Sequence, residues 1–176
     1  MNNSVEIRFL RTDDAAEWKR LRVEALEGDP EAFSASLEEY RTLSIDEVKR
    51  RLWSAEDAFV VGAFDQERLL GMAGFYREKG PKTRHKGHIW GVYVTPAARG
   101  KKVARKMMEA LLERGAGIDG IEQILLSVAA TQVAAVKLYR SLGFEPFGRE
   151  PRALRIGDRF IDEEYMVRWN GRTHER

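Results

Sequence analysis

The chain has 176 residues, of which 43% are apolar and 33% charged, with 30 basic against 28 acidic side chains. Those figures describe one globular domain able to bury roughly 70% of its unfolded surface, and a net charge of +2 argues against bulk nucleic-acid binding. The lack of cysteine excludes disulfides, thiolate nucleophiles and Cys-based metal sites. No apolar run reaches the length of a membrane span. Met1 to Glu6 lacks the basic start and apolar run of a secretory signal, so the expected compartment is the cytoplasm.

In chain order, Val5 to Leu10 alternates apolar and polar residues as a strand does, and Thr12 or Asp13 is a candidate cap for the helix that follows. That helix carries Trp18, Leu21, Arg22 and Ala25 at helical spacing and stops near Gly28-Asp29-Pro30. Glu31 to Tyr40 reads as a short helix or an irregular lid. Ser44-Ile45-Asp46-Glu47 matches a capping box that opens a helix running through Leu52 and Trp53. Ala58 to Phe64 and Leu69 to Arg77 read as a hairpin, and Glu78 to Lys86 as a polar loop. His88 to Val94 is a buried strand. A helix from about Gly100 has an apolar side through Val103, Met107, Met108, Leu111 and Leu112 and ends near Gly115 and Gly117. Ile121 to Val128 is another strand, Gln132 to Leu142 a helix closed by Gly143, and Phe144 to Ile156 pairs with Arg159 to Trp169 across Gly157-Asp158. This order implies an α/β fold with a mixed sheet and helices on both faces. Residues 1–169 are expected to form one domain and Asn170 to Arg176 a loose polar tail.

One stretch is built to meet an anion. The strand Val92-Tyr93-Val94 ends at Thr95-Pro96, and Ala97-Ala98-Arg99-Gly100-Lys101-Lys102-Val103-Ala104 turns into a helix. Backbone N–H groups at a helix start lack intrahelical partners and sit at the positive end of the helix dipole. With Arg99, Lys101 and Lys102 beside them they form a socket suited to phosphate.

Two segments carry a resemblance to the GNAT superfamily, the acyl-CoA-dependent N-acetyltransferases. Val92 to Leu112 resembles that family's strand-turn-helix signature R/Q-x-x-G-x-G/A, and Leu138-Tyr139-Arg140-Ser141-Leu142-Gly143-Phe144 resembles its L-Y-x-x-x-G-F ending. The resemblance implies a GNAT-like fold whose central sheet is mixed and mostly antiparallel. It implies acetyl-CoA as co-substrate, lying along Val92, Tyr93 and Val94 with its pyrophosphate on Arg99, Gly100, Lys101, Lys102, Val103 and Ala104. The expected reaction is direct transfer of the acetyl group to a primary amine. The family pattern departs at Lys102, which replaces the first motif glycine; a lysine there can keep a helical backbone and its N–H, with its stem directed away from the ligand. Tyr139 matches the family tyrosine beside the thioester sulfur and is the candidate general acid, because a phenol is a neutral donor to a departing thiolate. Gln132 stands where relatives carry asparagine and is a further cofactor contact. Relatives are often dimers, so a homodimer is one arrangement the resemblance allows.

The base is less plain, since no acid lies between Lys79 and Arg99. His88 is the nearest substitute; alternation puts it on the side of Trp90, Val92 and Val94 unless a bulge intervenes. Glu163, in the last strand with Ile161, Tyr165, Val167 and Trp169 on its side, is the second candidate. His85-x-x-His88 has no third ligand, so no metal site is expected. A non-catalytic acyl-CoA-binding sensor or interaction module is the alternative reading. Neither a nucleic acid nor a membrane is an expected partner.

Overall fold

The structure, a computed structural model, describes residues 5–52 and 55–171. The segments at 1–4 and 172–176, and Trp53, which the sequence reading puts in a helix, lie outside the described residues. The elements follow as β1 (Glu6–Phe9), α1 (Ala15–Gly28), α2 (Leu37–Thr42), α3 (Ile45–Arg51), β2 (Ala58–Asp65), β3 (Arg68–Arg77), β4 (Lys86–Val94), α4 (Val103–Ala116), β5 (Gln123–Ala129), α5 (Val133–Ser141), β6 (Glu145–Ile156) and β7 (Arg159–Trp169). One sheet takes all the strands in the order β1-β2-β3-β4-β5-β7-β6. Every neighbouring pair is antiparallel except β4 with β5.

Helices cover both faces and bury two apolar clusters. On one side α4 presents Val103, Met107, Met108 and Leu111 to Val61, Ala73, Phe75, Ile124 and Met166 of the sheet, and Tyr139 of α5 joins them. On the other, α1 presents Trp18, Leu21 and Ala25 to Phe64, Leu69 and Met72, with Tyr40 and Val48 of the two short helices closing the layer. Glu17 fixes the seat of α1: its carboxylate accepts the Leu69 N–H at 3.0 Å, while Arg20 donates to the Leu69 carbonyl at 2.6 Å. Those bonds tie α1 to the start of β3 and thereby set which residues of α1 face β4.

Several local signals hold as read. The Ser44–Glu47 box forms in both directions, with Ser44 N–H donating to Glu47 at 2.7 Å and Glu47 N–H to the Ser44 hydroxyl at 3.3 Å. Gly143 takes φ +88° after α5, the conformation that favours glycine at a helix end. Other boundaries differ. The first helix is not capped by Thr12 or Asp13; Asp14 accepts the Arg11 N–H at 2.7 Å across a 3-10 turn and α1 starts at Ala15. Asn170 is not loose, because its amide donates to Ala116 and Ile121 carbonyls at 2.8 Å each and its N–H to Glu122 at 2.8 Å. The helix placed from Gly100 begins instead at Val103.

Leu111 is fully buried between α4 and the sheet. Leu111→Ala is expected to destabilise the fold by about 2–5 kcal/mol, read as a lowered denaturation midpoint in urea with an unchanged slope.

Candidate active site

The site begins with a broken ladder. β4 and β5 pair in parallel only over Lys86–His88 with Gln123–Leu125, and beyond them no further pairing joins the two strands. Antiparallel pairing of β4 with β3 continues to Val94, but with two residues, Gly91 and Val92, set against Ala73 alone. This is a β-bulge, and Gly91 adopts φ +64° within it. The bulge resets alternation: Trp90 and Tyr93 pack in the α1 layer, whereas Ile89, Val92 and Val94 face the α4 layer. Alternation had put His88 and Trp90 on the side of Val92 and Val94; the extra residue separates them. Between the diverging strands lies a cavity of about 280 Å³, walled by residues 89–94 and 126–129, with Tyr139 at one side and Asp29 and Phe33 at the other. Edge backbone groups of β4 that a continuous sheet would have consumed are thus turned toward this space.

At the end of β4 stands the turn that the sequence marks as a candidate anion socket. Gly100 and Lys102 both take positive φ, +77° and +60°. Lys102 is the residue before α4, with ψ 17°, and is left-handed rather than helical. Its own position therefore shows why a glycine is expected there: the turn needs a left-handed residue. Backbone N–H groups from Gly100 to Arg105 have no partner among the described residues, the first helical bond being Lys106 N–H to Lys102 at 3.1 Å. Successive unpaired N–H groups in such a turn form an anion-binding concavity. Arg99, Gly100, Lys101 and Lys102 are exposed around it, and no atom lies within 4 Å of where a Gly100 Cβ would be. Arg99 is only partly free: its Nε donates to the Val94 carbonyl at 3.0 Å and its guanidinium lies 5.7 Å from the Tyr93 ring centroid. The Val103 side chain is buried in the core and offers only its N–H, whereas Ala104 lines the cavity. These features fit an extended thioester ligand with a pyrophosphate.

The remaining candidates divide. Tyr139 lines the cavity and packs edge-on against Phe144 at 6.1 Å; burial pushes its phenol well above the ordinary range, so it stays a neutral donor. Val92, Tyr93 and Val94 also line the cavity, with the Tyr93 side chain in the α1 layer and its hydroxyl donating to Glu24 at 3.3 Å. Gln132 lines it too, with its amide donating to Asp29 at 2.8 Å and so tying α5 to the end of α1. His88 does not join them. Its Nε2 lies 2.7 Å from Glu78, its ring stacks on Tyr76 at 5.0 Å, and it lines a second cavity of about 550 Å³. The hydrogen bond from His88 holds the Glu78 carboxyl below its usual range. Glu163 lines neither cavity and stands across the ladder from Ala129. Burial, then the Glu150 charge, raise its carboxyl, while a hydrogen bond with Ser127 lowers it. Ser127 lines both cavities.

One residue beside the cleft, next to Gly91, escaped the sequence reading. Arg22 is 5% exposed, and its Nε and Nη1 are buried without partners among the described residues. Burial lowers its pKa. A cation so placed forfeits several kcal/mol of hydration, and ring contacts at about 0.5–2 kcal/mol each offset that only in part. The signal was present: a charged residue stood in the apolar stripe of α1.

With this geometry in place, comparison with known proteins is direct. A model of the acetyltransferase (GNAT) family matches residues 18–144. A mycothiol acetyltransferase from Brachybacterium faecium is 31% identical over 146 residues, which cover 81% of this chain and 41% of that protein. The chain thus spans about two fifths of the length of the mycothiol acetyltransferases it matches. Among solved structures, a GNAT-family acetyltransferase from Streptococcus pneumoniae superposes with a TM-score of 0.84 at 22% identity, covering 94% of this chain and 99% of that one. The putative acetyltransferase yncA from Salmonella typhimurium, solved with its cofactor acetyl-CoA, gives 0.81 at 21% identity over 98% of both chains. At that identity the structural likeness concerns the fold. The protein belongs to the GNAT acetyltransferase family.

Two outcomes follow from the socket and the rim. A non-glycine residue in the left-handed region is strained by about 1–2 kcal/mol, partly offset by the freer unfolded chain of glycine. Lys102→Gly is therefore expected to raise stability by about 0.5–1 kcal/mol, measured by urea unfolding. For Glu163 the folded-state carboxyl is raised, so the native state favours the neutral form and loses stability as pH rises through the folded pKa. Glu163→Gln should then gain stability over the parent above the carboxylate range and lose that advantage below it, as read from melting temperature against pH.

Proposed function

We propose that the protein is an acetyl-CoA-dependent N-acetyltransferase that transfers the acetyl group to a primary amine by direct attack. The observation that carries this reading is the split between β4 and β5, which opens one cavity lined by Gly91 of the bulge, by Arg99 and Ala104 at the turn with its unpaired N–H groups, and by Tyr139. Acetyl-CoA, when bound, supplies the acetyl group as a thioester. The N–H groups from Gly100 to Arg105, with Arg99 and Lys102 beside them, bind its pyrophosphate. Backbone N–H groups of the Gly91–Val94 segment orient and polarise the carbonyl. The amine nitrogen forms the new C–N bond as the C–S bond breaks. The Tyr139 hydroxyl gives its proton to the departing sulfur, and a base takes one from the amine.

Of the two candidate bases, Glu163 is favoured over His88. Burial and the Glu150 charge raise its carboxyl, and it stands across the ladder from Ala129, which lines the cavity. His88 is engaged with Glu78 and lines the second cavity. No helix among the described residues is long and apolar enough to cross a membrane.

Titration calorimetry with acetyl-CoA, and CoA release over a panel of small amines, polyamines and peptides, test the reading. Binding and turnover are both expected. Tyr139→Phe should lower kcat by about 100-fold with acetyl-CoA affinity retained; unchanged kcat removes it as the acid. Glu163→Gln should likewise lower kcat without weakening acetyl-CoA. Binding without turnover across the whole panel would assign the chain as a non-catalytic acyl-CoA module instead.

A further inference from the structure

Trp18 and Arg22, one turn apart on α1, face β4 where the bulge lies. The Trp18 ring packs 6.4 Å from Trp90 and 5.8 Å from Tyr40. The Arg22 guanidinium lies 4.7 Å from the Phe33 ring centroid and 5.0 Å from that of Tyr40. Rings of this kind cover the faces of a guanidinium, but its N–H donors lie in its plane and are not satisfied by them. Nε and Nη1 of Arg22 have no acceptor among the described residues, and neither has the Trp18 indole N–H. The orphaned edge is turned to the bulge, since a Cβ added at Gly91 would sit 3.4 Å from Nη1. Gly91 and Phe33 both line the transfer cavity.

All the orphaned groups are donors, and one side chain is cationic. What they lack is an anionic acceptor. The protein's own carboxylates nearby are already engaged. The Tyr40 phenol and, after it, the Glu39 charge are the groups that favour the charged form of Arg22, but Tyr40 is no carboxylate and Glu39 accepts two donors of Arg51 at 3.1 Å each. Glu24 accepts from Arg20 at 3.0 Å and from Tyr93 at 3.3 Å. Asp29 accepts from Gln132 at 2.8 Å. A guanidinium fork is the side chain best matched to a planar carboxylate.

We propose that Arg22 recognises the carboxylate of the amine acceptor, and that the acceptor is an α-amino acid or a compound carrying amine and carboxylate on one carbon. The inference rests on the acetyl-transfer reading for the amine, and on the orphaned donors alone for the carboxylate. The two groups belong on one carbon because the carboxylate site and the bulge that presents the carbonyl to the amine are adjacent. The Phe33 ring lies over the guanidinium, and recognition as proposed requires it to turn aside as the carboxylate enters. An acceptor lacking the carboxylate leaves the charge unpaired, and a site of that kind rejects it by more than lost contact area.

The test compares the standard L-amino acids as free acids with their C-terminal amides, and with 6-aminohexanoate, whose carboxylate is remote from its amine. Melting temperature, calorimetry and CoA release are all recorded. At least one free acid should raise the melting temperature and be acetylated, with its amide and 6-aminohexanoate weaker by about 100-fold or more in kcat/KM. Arg22→Gln should abolish the preference for acid over amide with acetyl-CoA affinity unchanged, and Arg22→Lys should restore part of it. Because Arg22→Gln can also fail to fold, the acid-against-amide comparison in the parent protein decides on its own. Equal use of acid and amide overturns the proposal, as does acetylation of amines without a carboxylate while no free acid binds. Should acetyl-CoA itself fail to bind, the transfer reading falls separately. The carboxylate site then stands if a free acid, but not its amide, raises the melting temperature, and falls if none does.

Discussion

The parallel ladder between β4 and β5 closes over three residue pairs and then opens, and the rest of the site is a consequence of that opening. A sheet with its ladder complete has no room for a ligand and no backbone groups to offer one. Divergence of β4 from β5 costs those hydrogen bonds, and burial of unpaired N–H and C=O groups is tolerated only where water or a ligand replaces the missing strand. Continuity of β4 with β3 on its other side, and of β5 with β7, keeps each half rigid. The cavity is therefore held by two intact sheet halves rather than by loops.

Three further features depend on the same break. The bulge at Gly91 turns Tyr93 toward α1 and leaves Val92 and Val94 on the α4 side. The left-handed residues Gly100 and Lys102 then let the chain re-enter a helix with its N–H groups exposed. Tyr139 arrives from α5, which follows β5, whereas the crossover that the parallel β4–β5 pair requires is α4. The Tyr139 ring is both core and cleft: buried against Phe144 yet at the wall of the cavity.

The α1 layer shows the opposite economy. Trp18, Leu21 and Ala25 behave as an apolar stripe should, and Arg22 does not. Charge inside such a stripe normally finds a carboxylate, since an unpaired buried ion is among the more destabilising arrangements a fold can hold. Here each nearby acid is committed to another partner. The imbalance sits beside the bulge and not at a random point of the core, which links a stability defect to the site.

Much of this was readable from one-dimensional signals, because those signals are local. The Ser44–Glu47 box, the Gly143 helix end, the apolar stripe of α4 and the strand-turn-helix at Thr95 to Ala104 each involve residues within a turn or two of one another, and each formed. What the sequence by itself determined was the order of elements, the turn that opens α4 and the place of Tyr139 on α5. Tertiary structure alone decided the rest. His88 was drawn to Glu78 in the loop after β3, Asn170 was fastened to carbonyls at Ala116 and Ile121, and Arg22 was left without a carboxylate. Lys102 shows the boundary between the two: its sequence position marked the turn, but its left-handed backbone is imposed by the need to join β4 to α4. Partners far apart in the chain are chosen by packing, and packing is not written in the spacing of neighbouring residues.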